Sequence, residues 1–142
     1  MEWFEDRGRI DYAAEAMKGP DDIESYLLKL GMPFEGIGPG MWNIKSEHEN
    51  LVVSITGPLV VFRTKVMDVP TANRERLFET LLRLNTTEMV HGAFGIESES
   101  IVIVNALEIE NLDFNEFGAV VDDFTMAVSK HYPALSKFRA AA

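Results

Sequence analysis

The apolar positions of the chain change period several times, and each change marks an element. After "GPDD", Ile23, Tyr26, Leu27 and Leu30 recur at helical spacing. Pro20 and the acids Asp21 and Asp22 suit the start of that helix, and Gly31 with Met32 and Pro33 suits its end. "FEGIGPG" reads as a turn. Three strands are then predicted at Met41–Lys45, Leu51–Thr56 and Leu59–Val66, joined by the short turns "SEHEN" and "TGP" into a meander. In the third, Val60, Phe62, Thr64 and Val66 share one face, while the other carries Val61 and then Arg63 and Lys65, so that face is buried early and wet at its later end.

The clearest helical pattern is "DVPTANRERLFETLLRLN". Leu77, Phe78, Leu81, Leu82 and Leu84 form its apolar stripe, Thr71 is the expected N-cap, and Asn85 the expected end. Two more strands follow, Gly92–Glu97 and Ser100–Glu108, with a tight turn at Ser98. "IVIVNAL" is apolar on both faces, as in a central strand covered on two sides. A last helix starts at Asp113, with Glu116 placed for a reciprocal cap. Phe114, Phe117, Val121, Phe124, Val128 and Tyr132 mark its buried side, and Pro133 is expected to end it. The resulting order is α-β-β-β-α-β-β-α, an α+β fold with an antiparallel sheet packed by helices. The expected organisation is a lead-in over 1–20, helical from Ile10, a single domain over 21–135 and a tail over 136–142.

Charge then narrows the function classes. Thirteen basic and 23 acidic residues leave a net charge of −10, which argues against a nucleic-acid surface, since phosphate binding needs clustered Lys and Arg. Between Leu84 and Ser129 there is no Lys or Arg, yet nine acids occur: Glu88, Glu97, Glu99, Glu108, Glu110, Asp113, Glu116, Asp122 and Asp123. The bland account is a solvated surface; the functional one is attraction to a basic partner. Zero cysteines exclude thiol chemistry and disulfides. With no signal-like or membrane-spanning run, the expected location is the cytoplasm, without membrane insertion.

Candidate chemistry fails on spacing or context. Asp113, Asn115 and Gly118 match three positions of a calcium loop, but Phe117 and Phe124 stand where two ligands are needed, including the bidentate one. "NTT" at Asn85 is a sequon only in a secreted chain. "GIGPG" lacks the Lys-Ser/Thr of a phosphate loop. His48, His91 and His131 share no metal-ligand spacing, and His131 reads as a helix-end residue. The acid pairs Glu97/Glu99 and Asp122/Asp123 read as solvated surface. No catalytic set, metal site or cofactor is therefore expected. What remains is apolar surface beyond the needs of a small monomer, so Leu77, Phe78, Leu81, Leu82, Ile101 and Ile103 are the candidate dimer- or partner-binding residues. These six can equally be plain core.

"LLRLNTTEMVHGAFGIESESIVIVNALEIENLDFNEF" also resembles a pattern shared by the YbjN family and the type III secretion chaperones. Leu84-Asn85, Gly92, Phe94, Leu107 and the Phe114/Phe117 helix carry it. "LGMPF", Val69-Pro70 and "KHYPAL" look closer to YbjN proteins, and the likeness spans roughly residues 21 to 135. The resemblance implies the type III chaperone-like α+β fold and a small, acidic, commonly dimeric protein. It further implies a non-enzymatic role: either a regulator of the YbjN kind, linked to sensory transduction, or a dedicated chaperone holding an extended effector segment. A protein or peptide client is the implied partner. A small-molecule-binding domain is the remaining alternative and requires a deep pocket around Glu108, Glu110 or Asp113.

Overall fold

A computed structural model describes residues 18–46 and 50–140. The expected lead-in helix, His48 and the last two alanines lie outside those residues. Helix α1 (Pro20–Leu30) is followed by β1 (Phe34–Gly38), β2 (Met41–Lys45), β3 (Asn50–Thr56) and β4 (Leu59–Asp68). Then come α2 (Arg74–Thr87), β5 (Ala93–Glu97), β6 (Ser100–Glu108) and α3 (Phe114–Ala140). The six strands form one antiparallel sheet in the order β1-β2-β3-β4-β6-β5. The α+β class and the meander are as the pattern predicts.

One strand was not legible. "FEGIGPG" is a turn only in its last part, and Phe34–Gly38 pairs with β2 as an edge strand. All but its first residue are exposed. Alternation in sequence comes from burying one face, and a strand with almost nothing to bury leaves no such signal.

The helices pack on the sheet face that carries Phe62. Its ring lies 5.4 Å from that of Phe117 and 6.2 Å from that of Phe124. Tyr26 of α1 sits against Phe117 at 5.5 Å and donates its hydroxyl hydrogen to the Leu112 carbonyl at 2.7 Å. Ile23, Leu27, Leu77, Leu81, Ile101 and Ile103 complete this core. On the opposite face Val102 is buried and Val104 half-buried. Lys65 and Gly95 stand directly across from Val102, and Arg63 and Ala93 from Val104. The double apolarity of "IVIVNAL" thus reflects small neighbours and long polar stems on that side.

Three element ends depart from expectation. In β4 the register shifts between Lys65 and Met67, so Met67 takes the core position that strict alternation assigns to Val66. Helix α2 begins at Arg74 after Asn73, which adopts left-handed φ 58°, a conformation asparagine tolerates better than most residues. Thr71 is therefore not its cap. Helix α3 starts on the expected reciprocal cap: the Glu116 N–H donates to Asp113 Oδ1 (2.8 Å), and the Asp113 N–H to Glu116 Oε1 (3.2 Å). It does not stop at Pro133 but runs on to Ala140. An internal proline costs about 3 kcal/mol. Leu135 and Phe138, both buried beyond it, together stabilise by about 3–6 kcal/mol, so packing prevails.

Gly92 shows how tightly the loop between α2 and β5 is held. Its φ is +92°, and a Cβ added there meets Phe124 Cε1 at 2.9 Å and the Val104 carbonyl oxygen at 3.2 Å. Gly92→Ala combines backbone strain with overpacking, so a loss of about 2 kcal/mol or more is expected in urea denaturation. A loss below about 0.5 kcal/mol would show that the loop yields.

Candidate protein-binding surface

Among the described residues, strand β5 is an outer strand, paired with β6 alone. Helix α2 flanks it, turning Leu77 and Leu81 into the core and Leu82 outward. Leu82 is 66% exposed, and Ile96 on β5 is 54% exposed. Together with half-buried Phe78, exposed Gly95, and the edges of buried Leu81 and Phe94, they line an apolar cleft of about 300 Å³. A second shallow hollow, lined by Glu79, Arg83, Thr86 and Thr87, lies on the other side of Leu82. Leu82 therefore stands as a ridge between two depressions.

Asn85 fixes the register of this edge. Its Oδ1 accepts the Phe94 N–H at 2.7 Å, and its Nδ2 donates to the Phe94 carbonyl at 3.2 Å. The side chain thereby occupies the place of a neighbouring strand at one residue, and the helix continues past it to Thr87 instead of ending there. Because outward-facing groups alternate along an antiparallel edge, the next outward backbone pair belongs to Ile96. Polar backbone and apolar side chain are thus presented side by side.

The six sequence candidates divide accordingly. Leu77, Leu81, Ile101 and Ile103 lie in the core of the protomer. Phe78 and Leu82 reach the surface, and Ile96, which the sequence pattern did not single out, joins them. Nothing in "AFGIE" distinguishes Ile96 from Phe94, which shares its face: what exposes Ile96 is its position on an outer strand.

A smaller cavity of about 150 Å³ opens on the other side of the α2–β5 loop, lined by residues 88–91 and by α3. His91 Nδ1 contacts Asp123 Oδ2, and Lys130 Nζ donates to Glu88 Oε1 at 2.6 Å. That hydrogen bond, with the ammonium charge behind it, holds the Glu88 carboxyl below its ordinary pKa. His131 is only 7% exposed, and its ring meets Phe94 edge-on at 6.2 Å. It is an interior residue of α3, not a helix-end histidine. Burial first, and the Lys130 charge second, keep its pKa below the ordinary value of 6.5.

Other sequence features resolve without chemistry. Glu97 pairs with Arg63 at 3.2 Å, while Glu108, Glu110 and Asp113 are exposed and line none of these hollows. The deep acidic pocket that a small-molecule site requires is thus not formed by these three residues. Phe117 and Phe124 of the calcium-loop lookalike are core side chains on α3. Among the described residues no three ligating side chains converge on a metal position. No helix among them is long and apolar enough to cross a membrane.

Two measurements check this geometry. His131 is more readily protonated in the unfolded chain than in the fold, so stability falls as pH drops below about 6.5, and none of this contribution is lost above it. Wild type is expected to lose more thermal stability between pH 7.5 and 5.5 than His131→Gln, and equal losses would contradict the assignment. Asn85→Ala leaves the Phe94 backbone unpaired and is expected to cost about 1–3 kcal/mol in urea denaturation. It should also accelerate hydrogen exchange at the Phe94 amide.

Comparison with known proteins bears on this arrangement. No curated protein gives a significant sequence match. Among solved structures, YbjN from E. coli, a proposed transcription regulator, superposes with a TM-score of 0.63 at 14% identity, covering 82% of this chain and 93% of its own. The heterodimeric ExoU–SpcU complex of the Pseudomonas aeruginosa type III secretion system gives 0.65 at 15%, covering 78% and 95%. The Yersinia pestis secretion chaperone SycH, in complex with a fragment of YscM2, gives 0.58 at 13%, covering 78% and 97%. These likenesses establish the fold. The CesT_Tir_1 family model matches residues 17–141, nearly the whole chain, and on that ground the protein belongs to the CesT_Tir_1 family of type III secretion chaperone-like proteins.

Proposed function

We propose that this protein is a non-enzymatic, cytoplasmic, chaperone-like protein that forms a homodimer through the α2–β5 face and holds a protein or peptide client. The observation that carries the reading is the exposure of Leu82 and Ile96 beside Phe78, next to the unpaired backbone of Ile96. A solvent-facing leucine and isoleucine on adjoining elements gain most by being covered together. A second protomer supplies the same apolar groups by symmetry, and its own β5 edge is equally unpaired. Family membership and the chaperone–effector complexes among the structural relatives support client binding.

A second reading, a YbjN-type regulator acting on a partner, is favoured by the likeness to E. coli YbjN. Both readings share the binding surface and differ in the fate of the bound protein.

Light scattering at tens of micromolar is expected to give twice the mass of the chain. Leu82→Glu places a carboxylate at the centre of the face and should weaken association about 30-fold or more, with circular dichroism unchanged. A strict monomer for wild type, or an unaffected dimer for the variant, removes the dimer. Purification from the native cell followed by mass spectrometry should yield a stoichiometric protein partner. An effector partner would favour the secretion chaperone, and no partner at all would refute client binding.

A further inference from the structure

The cavity beside His131 is not used by the surface described above, and its groups converge on one chemistry. His131 is more than nine-tenths buried, lines the cavity and makes no hydrogen bond within the described residues. Its ring nitrogens are not fully enclosed, so a neutral imidazole presents one of them as an open acceptor. Asp123 of α3 and Glu88 of the α2–β5 loop are both lining residues. Val90, 80% exposed, and Met126, 65% exposed, are also among the lining residues and present bare apolar surface to solvent.

We propose that this cavity receives an arginine side chain presented by a protein partner. The aliphatic part of arginine matches Val90 and Met126. Its guanidinium offers a fan of donors to the imidazole and to the lone pairs left over on Asp123, which His91 contacts, and on Glu88, which Lys130 contacts. Size agrees as well, because a cavity of 150 Å³ holds about six heavy atoms, as many as arginine carries beyond Cβ. Lys130 does not bar the way: it is engaged by Glu88 at 2.6 Å, and Asp123 is paired, among the described residues, with His91. An anion, by contrast, would face both carboxylates, with the Lys130 ammonium of the lining already taken by Glu88.

The inference rests on the protein being a protein-binder, but not on its dimer. A monomeric result in light scattering leaves the following test intact, and a failed test leaves the dimer standing. Full-length protein labelled with nitrogen-15 is titrated with a blocked pentapeptide, one arginine flanked by alanines, and with its citrulline twin, which keeps the shape and loses the charge. The arginine peptide is expected to shift amides of residues 88–91 and 123–131 saturably. The citrulline twin should bind about tenfold more weakly or worse, and Asp123→Asn should reduce arginine binding to a similar degree. Absent or scattered shifts, equal binding of the citrulline twin, or an unchanged response in Asp123→Asn would each overturn the proposal.

Discussion

The β4–β6 ladder is the constraint on which the rest of the molecule depends. These strands are neighbours in the sheet but are separated in sequence by α2 and β5, so pairing them requires closing a long loop. Phe62 lies at the middle of that ladder, opposite Asn105, and under the rings of Phe117 and Phe124. One side chain therefore joins the meander, the C-terminal hairpin and the last helix. Removing its bulk would uncouple all three, whereas the outer strands depend on it only indirectly.

Closing that loop also creates the functional geometry. The segment from Thr87 to Ala93 must return from the end of α2 to the sheet edge across α3, and it passes so close to Phe124 and Val104 that only glycine fits at position 92. On one side of this crossing lies the apolar α2–β5 face; on the other lies the cavity of His91, Asp123 and His131. Glu88 and His91 tie it to Lys130 and Asp123, and Asn85, just before it on α2, binds the β5 backbone just after it. The two proposed recognition surfaces are thus opposite flanks of one restrained connection.

Much of the fold was legible in sequence because its elements bury one face. Helix α1, the β2–β4 meander, the β5–β6 hairpin and the start of α3 all show the periodicity of half-buried elements, and the Asp113/Glu116 cap is entirely local. Elements that obey other forces were missed or mis-ended. Strand β1 buries almost nothing and so leaves no alternation. The last turns of α3 survive Pro133 because Leu135 and Phe138 reach a core assembled from distant segments. The family resemblance, carried by short structural motifs around Asn85, Gly92 and Phe94, was readable for a related reason. Asn85 pins Phe94, and Gly92 alone fits the turn between them.

The sequence by itself determined which residues are apolar, where chain direction reverses, and that catalytic and metal-binding motifs lack their partners. Those are properties of local spacing and side-chain type. Only the tertiary structure decided which apolar residues are surplus. Leu77 and Leu82 lie on the same predicted stripe, yet one is enclosed and the other stands on the surface, because the sheet ends at β5 and covers only part of the helix. Likewise, His91, Asp123 and His131 become one cavity only when the α2–β5 loop folds across α3. The sequence shows them merely as scattered residues, since proximity across a crossover is set by packing and not by period.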